Sequence, residues 1–374
     1  MRKVGIMSMQ RIANYGSFLQ AYALKQLIEE VGCNVEFVDY HVGAPVIVEN
    51  ADSKNKVVRK IKKGLETFRY RAPLAHKLSF IRYKQSFAQK YMPLLGIADE
   101  MNYNPTVDCL VIGSDEVFNC IQKNSNVGYS PELFGKNNHA KKLITYAASF
   151  GNTTLVKLEK YKKTDEVGAL LKKFDAISVR DANSGAIVEQ LTGKEPLYNL
   201  DPVLTYDYMN CCDKIPQVQT NEKYLILYAY AGRISNEEAD WISDYAKKKK
   251  LKVYAIGGIQ KCADRFVDCS PFEVLAYFRN AEEVITDTFH GSIFSVITHR
   301  PFTTLIRKSV GNSYGNEEKL SDLLKRLKLA DRMTTKIEDA ENINEKTIDY
   351  AKVDELLKAH REVAKEYLRK NLEE

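Results

Sequence analysis

The sequence predicts an α/β protein built as two parallel-sheet domains that face each other across a cleft. Three observations lead there. The chain has 374 residues, more than one hydrophobic core usually serves, so two domains are expected. Short apolar runs rich in β-branched and aromatic residues recur along it. Amphipathic stretches separate these runs, as they do where helices cover both faces of a parallel sheet.

The strand candidates of the first half are residues 3–7, 35–40, 109–113, 143–148 and 176–179; those of the second are 224–230, 252–256, 284–286 and 302–306. Between them, 17–31 places Phe18, Tyr22, Leu24, Leu27, Ile28 and Val31 on an apolar helical face that Gly32 ends. The stretch 236–249 opens with acids and closes with lysines, which suits a helix dipole. A long charged amphipathic helix is expected over 350–372, with Val353, Leu356, Leu357 and Val363 on its apolar side. The polar stretch 207–222, holding Pro216, is the expected boundary. The domains are then 1–206, with a basic helical insertion at 54–90, and 223–349, with the helix 350–374 packing back on the first. In such folds ligands bind at the carboxyl ends of the strands.

Composition narrows the function. Hydrophobic residues make up 44% and charged residues 28%, which indicates a globular chain rather than a disordered one. The net charge of +6 is too small to argue for nucleic acid. Residues 54–90 hold twelve Lys or Arg against one acid, Glu66, so this segment carries the whole basic surplus. It reads either as a solvated helical face or as a surface for anionic lipid or a lipid-linked diphosphate. The seven cysteines show no CxxC and no zinc-ligand spacing with histidine, so reduced thiols and no metal site are expected. The apolar run after Lys3 is too short for a signal peptide, and no run approaches the roughly 18–20 apolar residues of a membrane span. The expected location is the cytoplasm, with peripheral contact at the inner face of the membrane if the basic segment meets lipid.

Four strand-to-loop junctions carry candidate chemistry. In Asn14-Tyr15-Gly16-Ser17, Gly16 allows close backbone approach and Ser17 can cap the helix, which would make an anion site or a simple cap. In Gly113-Ser114-Asp115-Glu116-Val117-Phe118-Asn119, Asp115 can act as general base for a hydroxyl or as a turn residue. The pair Ala147–Gly151, with Ser149, and Ile177–Asp181 ends in Arg180, which can fork onto an anion or pair internally with Asp181 or Asp201. In Thr286-Asp287-Thr288-Phe289-His290-Gly291-Ser292, the imidazole and Gly291 sit at the start of a helix, where anions are attracted and protons can be exchanged near neutral pH. His299, further along, is expected to pack.

Taken in order, these junctions resemble the polysaccharide pyruvyltransferase family. The stretches that carry the resemblance are 14–24, 113–119, 148–151, 177–181, Leu200-Asp201-Pro202, 286–292 and Pro301-Phe302. The family usually has Gln and Trp where this chain has Glu116 and Phe118, and Arg where Tyr314 follows Asn312-Ser313. The resemblance implies two Rossmann-like domains similar to the B-type glycosyltransferase fold, the first on the acceptor side and the second on the donor side. It implies phosphoenolpyruvate as donor substrate, no separate cofactor, and a pyruvate ketal on a sugar of a polysaccharide, exopolysaccharide or lipid-linked glycan precursor. It makes His290 the acid/base and Arg180 a donor-anion ligand, with Lys308 a second one. Ser149, Gly291 and Ser292 join the donor set, Asp115 or Glu116 handles the hydroxyl, and Asn14, Gly16, Ser17 and Asn119 form the acceptor set. Two other readings fit the same fold class: a nucleotide-sugar-dependent glycosyltransferase and a non-catalytic sugar-phosphate-binding protein.

Overall fold

A computed structural model describes residues 1–47, 67–122, 126–307 and 316–373. The chain divides into two compact units, each assembled from separated stretches. Unit 1 holds 1–50, 92–207 and 354–374; unit 2 holds 51–91 and 208–353. Each contains one six-stranded sheet whose described pairings are all parallel.

In unit 1 the strands are β1 (Lys3–Met7), β2 (Asn34–Phe37), β3 (Cys109–Asp115), β4 (Lys142–Ala148), β5 (Ser178–Val179) and β6 (Leu197–Tyr198). Their spatial order is β2-β1-β3-β4-β5-β6. The winding therefore reverses beside β1, and its carboxyl end shares a crevice with that of β3. Helix α1 (Tyr15–Glu30) follows β1. Its cap is Asn14, whose side-chain oxygen accepts from the Gly16 N–H at 2.7 Å; the expected cap, Ser17, lies inside the helix and points elsewhere. The two central strands are buried along almost their whole length because helices cover both faces. Gly113 ends the regular part of β3 with φ +132°, and a Cβ there would collide with the Tyr146 carbonyl of β4.

In unit 2 the strands are β7 (Tyr224–Tyr228), β8 (Lys252–Ile256), β9 (Arg265–Phe266), β10 (Glu283–Thr286), β11 (Phe302–Leu305) and β12 (Met333–Thr334). Their order is β12-β11-β10-β7-β8-β9, so here the reversal falls between β7 and β10. Helix α2 (Leu74–Tyr91) lays Phe80, Tyr83 and Phe87 inward at helical spacing. Phe80 meets Phe266 of β9 edge-on at 5.6 Å. That aromatic anchor places the described part of the basic segment in unit 2, whereas the sequence assigns 54–90 to the first domain; residues 54–66 lie outside the described ones. Helix α3 (Asn236–Lys249) starts with a capping box between Ser235 and Glu238, worth about 1 kcal/mol. Helix α4 (Phe289–Ile297) follows β10 directly. Helix α5 (Tyr350–Leu372) closes the chain. Within unit 1 its Tyr367 hydroxyl donates to the Thr145 carbonyl at 2.7 Å, and Arg361 pairs with Asp207 at 2.8 Å.

Two glycines test this packing. Gly113→Ala meets the β4 backbone, which cannot yield without breaking the sheet, and is expected to cost well over ~2 kcal/mol. Gly193 has φ +73° but open space around it, so Gly193→Ala should cost only about 1 kcal/mol. Urea unfolding of the two variants measures the difference.

Candidate active site

The polar residues of unit 1 gather at the reversal between β1 and β3. Beyond β1, Ser8 and Gln10 are buried, with Ser8 Oγ donating to the Ser114 carbonyl at 3.1 Å. Gln20 on α1 donates to Ser8 Oγ at 3.1 Å. Beyond β3, Asp115 adopts φ +74°, a region that only local polar side chains enter readily. Its carboxylate is fixed on both oxygens: Ser17 Oγ donates to Oδ2 at 3.1 Å and the Glu116 N–H to Oδ1 at 2.9 Å. The side chain keeps 14% exposure, so it is held firmly yet reachable.

Arg180 follows β5 and is only 4% exposed. It pairs with Asp201 at 2.9 Å and approaches Asp115 at 3.7 Å. Burial opposes its charge, yet Asp201, then Asp115, Glu116 and Asp181 outweigh that and hold the guanidinium more firmly protonated than usual. Of the two readings open for Arg180, an internal pair with Asp201 is present. Asp201 also caps a short helix through Val203 N–H at 3.1 Å.

The remaining candidates of unit 1 are engaged locally. Ser149 Oγ donates to Asp181 at 2.6 Å, and Asp181 caps the helix that follows by accepting from the Ser184 N–H. Asn119 donates to Glu116 at 2.9 Å and to Asn152 at 3.1 Å, and its carbonyl accepts from Thr153 and the Ile121 N–H. That fills its hydrogen-bonding capacity with loop partners. Gly151 must be small because a Cβ would strike the Glu116 carboxylate.

In unit 2 the junction after β10 is tightly built. Thr288 caps α4 by accepting from the Gly291 N–H at 2.9 Å. The helix thus begins at Phe289, and His290 sits in its first turn, half-buried, with Phe294 6.0 Å away. Gly291 is required: a Cβ would collide with the Thr286 and Thr288 hydroxyls. Ser292 is fully buried and bonded to Thr288 and Thr304. His299 stacks on Tyr350 at 4.4 Å, the packing role expected of it. Lys308 and Tyr314 lie outside the described residues.

Four charged groups of this unit escape the sequence reading. Asp287 is fully buried, and neither carboxylate oxygen accepts a hydrogen bond among the described residues. Burial raises its pKa, against the pull of Arg233 and Arg307. Arg233 lies 3.7 Å from it. Arg307 is held in a two-pronged pair by Glu238, at 2.6 and 3.0 Å. Asp287 stands inside a quoted motif, and Arg233 follows a strand and a glycine. Their proximity appears only once β7 and β10 are known to be neighbours.

The Arg180–Asp201 pair gives a stability test. Asp201→Ala removes one partner of a buried pair and leaves the guanidinium undercompensated, so a loss of about 3–5 kcal/mol is expected in chemical denaturation. A loss below about 1 kcal/mol would show that the pair carries little.

The polysaccharide pyruvyl transferase family model matches residues 14–309, a span that includes both strand-end clusters. No curated protein matches the sequence. Among solved structures, the UDP-N-acetylglucosamine 2-epimerase from Rickettsia bellii aligns with TM-score 0.50 at 10% identity, over 98% of this chain and 97% of that one. The UDP-GlcNAc 2-epimerase from Methanocaldococcus jannaschii aligns with TM-score 0.48 at 10% identity, over 93% of each chain. The glycotransferase of kitacinnamycin aligns with TM-score 0.43 at 10% identity, over 99% of each. At 10% identity, the Rickettsia bellii likeness speaks to fold and not to activity. With the family model covering most of its length, this chain belongs to the polysaccharide pyruvyl transferase family.

Proposed function

We propose that the protein transfers the pyruvyl unit of phosphoenolpyruvate onto two hydroxyls of a sugar in a glycan precursor, forming a ketal. The observation that carries this reading is the family match across 14–309, which takes in both Asp115 and His290. His290 gives up a proton to the methylene carbon, and the positive charge falls on the enol carbon. A sugar hydroxyl attacks that carbon while Asp115, braced by Ser17 and the Glu116 N–H, takes its proton. Phosphate departs by C–O cleavage, and the second hydroxyl closes the ring, its proton leaving with phosphate. Arg180 lies 3.7 Å from Asp115, and Asp201 holds Arg180 at 2.9 Å. On this reading Arg180 serves the acceptor hydroxyl through Asp115, and Lys308 is the cation for the donor.

Replacing His290 with Ala, or Asp115 with Asn, should lower phosphate release from phosphoenolpyruvate by about 10²–10⁴-fold with little change in melting temperature. Parent-level turnover in either variant removes that residue from the scheme. Consumption of a nucleotide sugar in place of phosphoenolpyruvate would favour the glycosyltransferase alternative.

We also infer that the acceptor is lipid-linked and met at an anionic membrane surface. Residues 67–91 contain six Lys or Arg and no acid. Phe68, Leu74 and Leu78 are exposed among them, Leu74 at 62% and Leu78 at 44%. Apolar side chains set among cations suit an interfacial helix. Among the described residues no helix is long and apolar enough to cross a membrane. The protein should co-sediment with phosphatidylserine vesicles at low salt, and Leu74→Gln with Leu78→Gln should abolish this. Lack of binding to such vesicles rejects the idea.

A further inference from the structure

Asp115 is the hydroxyl base of the scheme above, yet it stands where β3 gives way to a loop. A side chain there is only as well placed as the peptide that carries it. Its N–H donates to Ser114 Oγ at 2.6 Å, and its carbonyl accepts from the Ser149 N–H at 3.0 Å. The peptide in front of it is held from other elements of unit 1. Ser8, one residue beyond β1, donates its hydroxyl to the Ser114 carbonyl at 3.1 Å. Gln20, in the second turn of α1, donates to that same hydroxyl at 3.1 Å and to the Ser17 carbonyl at 3.2 Å.

The chemistry of these groups gives the chain of bonds a direction. A carbonyl can only accept, so the amide nitrogen of Gln20, not its oxygen, faces Ser17. The same nitrogen donates to Ser8 Oγ, which leaves the single hydroxyl proton of Ser8 for the Ser114 carbonyl. Ser8 is anchored in turn. Its N–H donates to Gln10 Oε1 at 2.9 Å, and Gln10 donates to the Val38 carbonyl at 3.0 Å and to Asp39 at 3.2 Å. Gln20 is fully buried, and its Oε1 accepts no hydrogen bond among the described residues. A bare buried acceptor destabilises a fold, so an apolar side chain of the same size would serve packing better. The donor end of the amide is what explains a glutamine here.

We propose that Gln20 is a positioning residue for Asp115, acting through the Ser8 hydroxyl on the Ser114 peptide. The same amide holds the carbonyl of Ser17, whose hydroxyl donates to the Asp115 carboxylate at 3.1 Å. One buried side chain thus steadies both the backbone that carries the carboxylate and the residue that aims it. A base held in this way loses turnover when its position drifts, even where substrate affinity is kept. The role of Asp115 as base rests on the reading above; the clamp on its peptide stands separately.

Hydrogen exchange of the full chain, read by mass spectrometry, tests it alongside phosphate release from phosphoenolpyruvate. Gln20→Met keeps the volume and removes both donors. It should speed exchange of the Asp115 and Glu116 N–H groups about fivefold or more and leave the strands of unit 2 unchanged. The melting temperature should stay within about 3 °C of the parent. Turnover should fall about ten- to hundredfold with KM within about threefold. In an Asp115→Asn background the same substitution should cost nothing further, because it acts only through that carboxylate. Ser8→Ala should reproduce these effects, and the double variant should be no worse than either single one. If Gln20→Met fails to fold, Ser8→Ala decides. Parental exchange at Asp115 and Glu116 overturns the proposal, as does protection lost evenly across unit 1 with turnover per folded molecule unaltered. If exchange rises but the parent never consumes phosphoenolpyruvate, or Asp115→Asn consumes it at the parental rate, the clamp stands and the base reading falls. If Asp115→Asn is inactive and Gln20→Met exchanges like the parent, the base stands and the clamp falls.

Discussion

The parallel pairing of β1 with β3, and of β7 with β10, is the constraint from which the rest of the architecture follows. Parallel neighbours force every connection to cross over the sheet, so all the carboxyl ends of one sheet emerge on one side. Where the winding reverses, two adjacent strands send their loops in opposite directions and leave a crevice. Side chains at such a crevice lose part of their water without gaining a core. They must then be bonded, be charged in pairs, or be kept for a ligand. Unit 1 takes the bonded course around Asp115, through Ser17, Glu116, Arg180 and Asp201. Unit 2 leaves Asp287 beside Arg233 with no hydrogen bond among the described residues.

This difference orders the chemistry. Asp115 is held on both oxygens and in a backbone conformation few residues tolerate, which costs about 1–2 kcal/mol in an ordinary side chain. Such a carboxylate cannot swing, which is what the base of the proposed scheme would require. His290, in the first turn of α4, is positioned by Thr288 below it and by Gly291 beside it, whose missing side chain lets the turn close over Thr286. Both sites are supported by buried residues.

The strands were legible in the sequence wherever they are long and covered on both faces. The buried run of β7 and the apolar run of β3 read as strands because nothing polar interrupts them. The two-residue strands β6, β9 and β12 were not, since two residues make no pattern. Asp115 and His290 stood out because a polar group directly after an apolar run is unusual. Ser17 misled as a cap because Asn14 three residues earlier was better placed for it. Arg233 and Asp287 are 54 residues apart, and only the order of the sheet makes them neighbours. The place of α2 likewise depended on aromatic contacts of Phe80 and Tyr83 with a strand nearly two hundred residues away.

The first unit includes helix α5, which follows the whole second unit in sequence. Tyr367 and Arg361 reach back to Thr145 and Asp207, on elements made long before them. During synthesis the first sheet therefore waits, with part of its helical cover missing, while the whole second unit emerges. Until that helix docks, the apolar surface it covers stays open to water, so the first unit cannot finish folding before the second has been made.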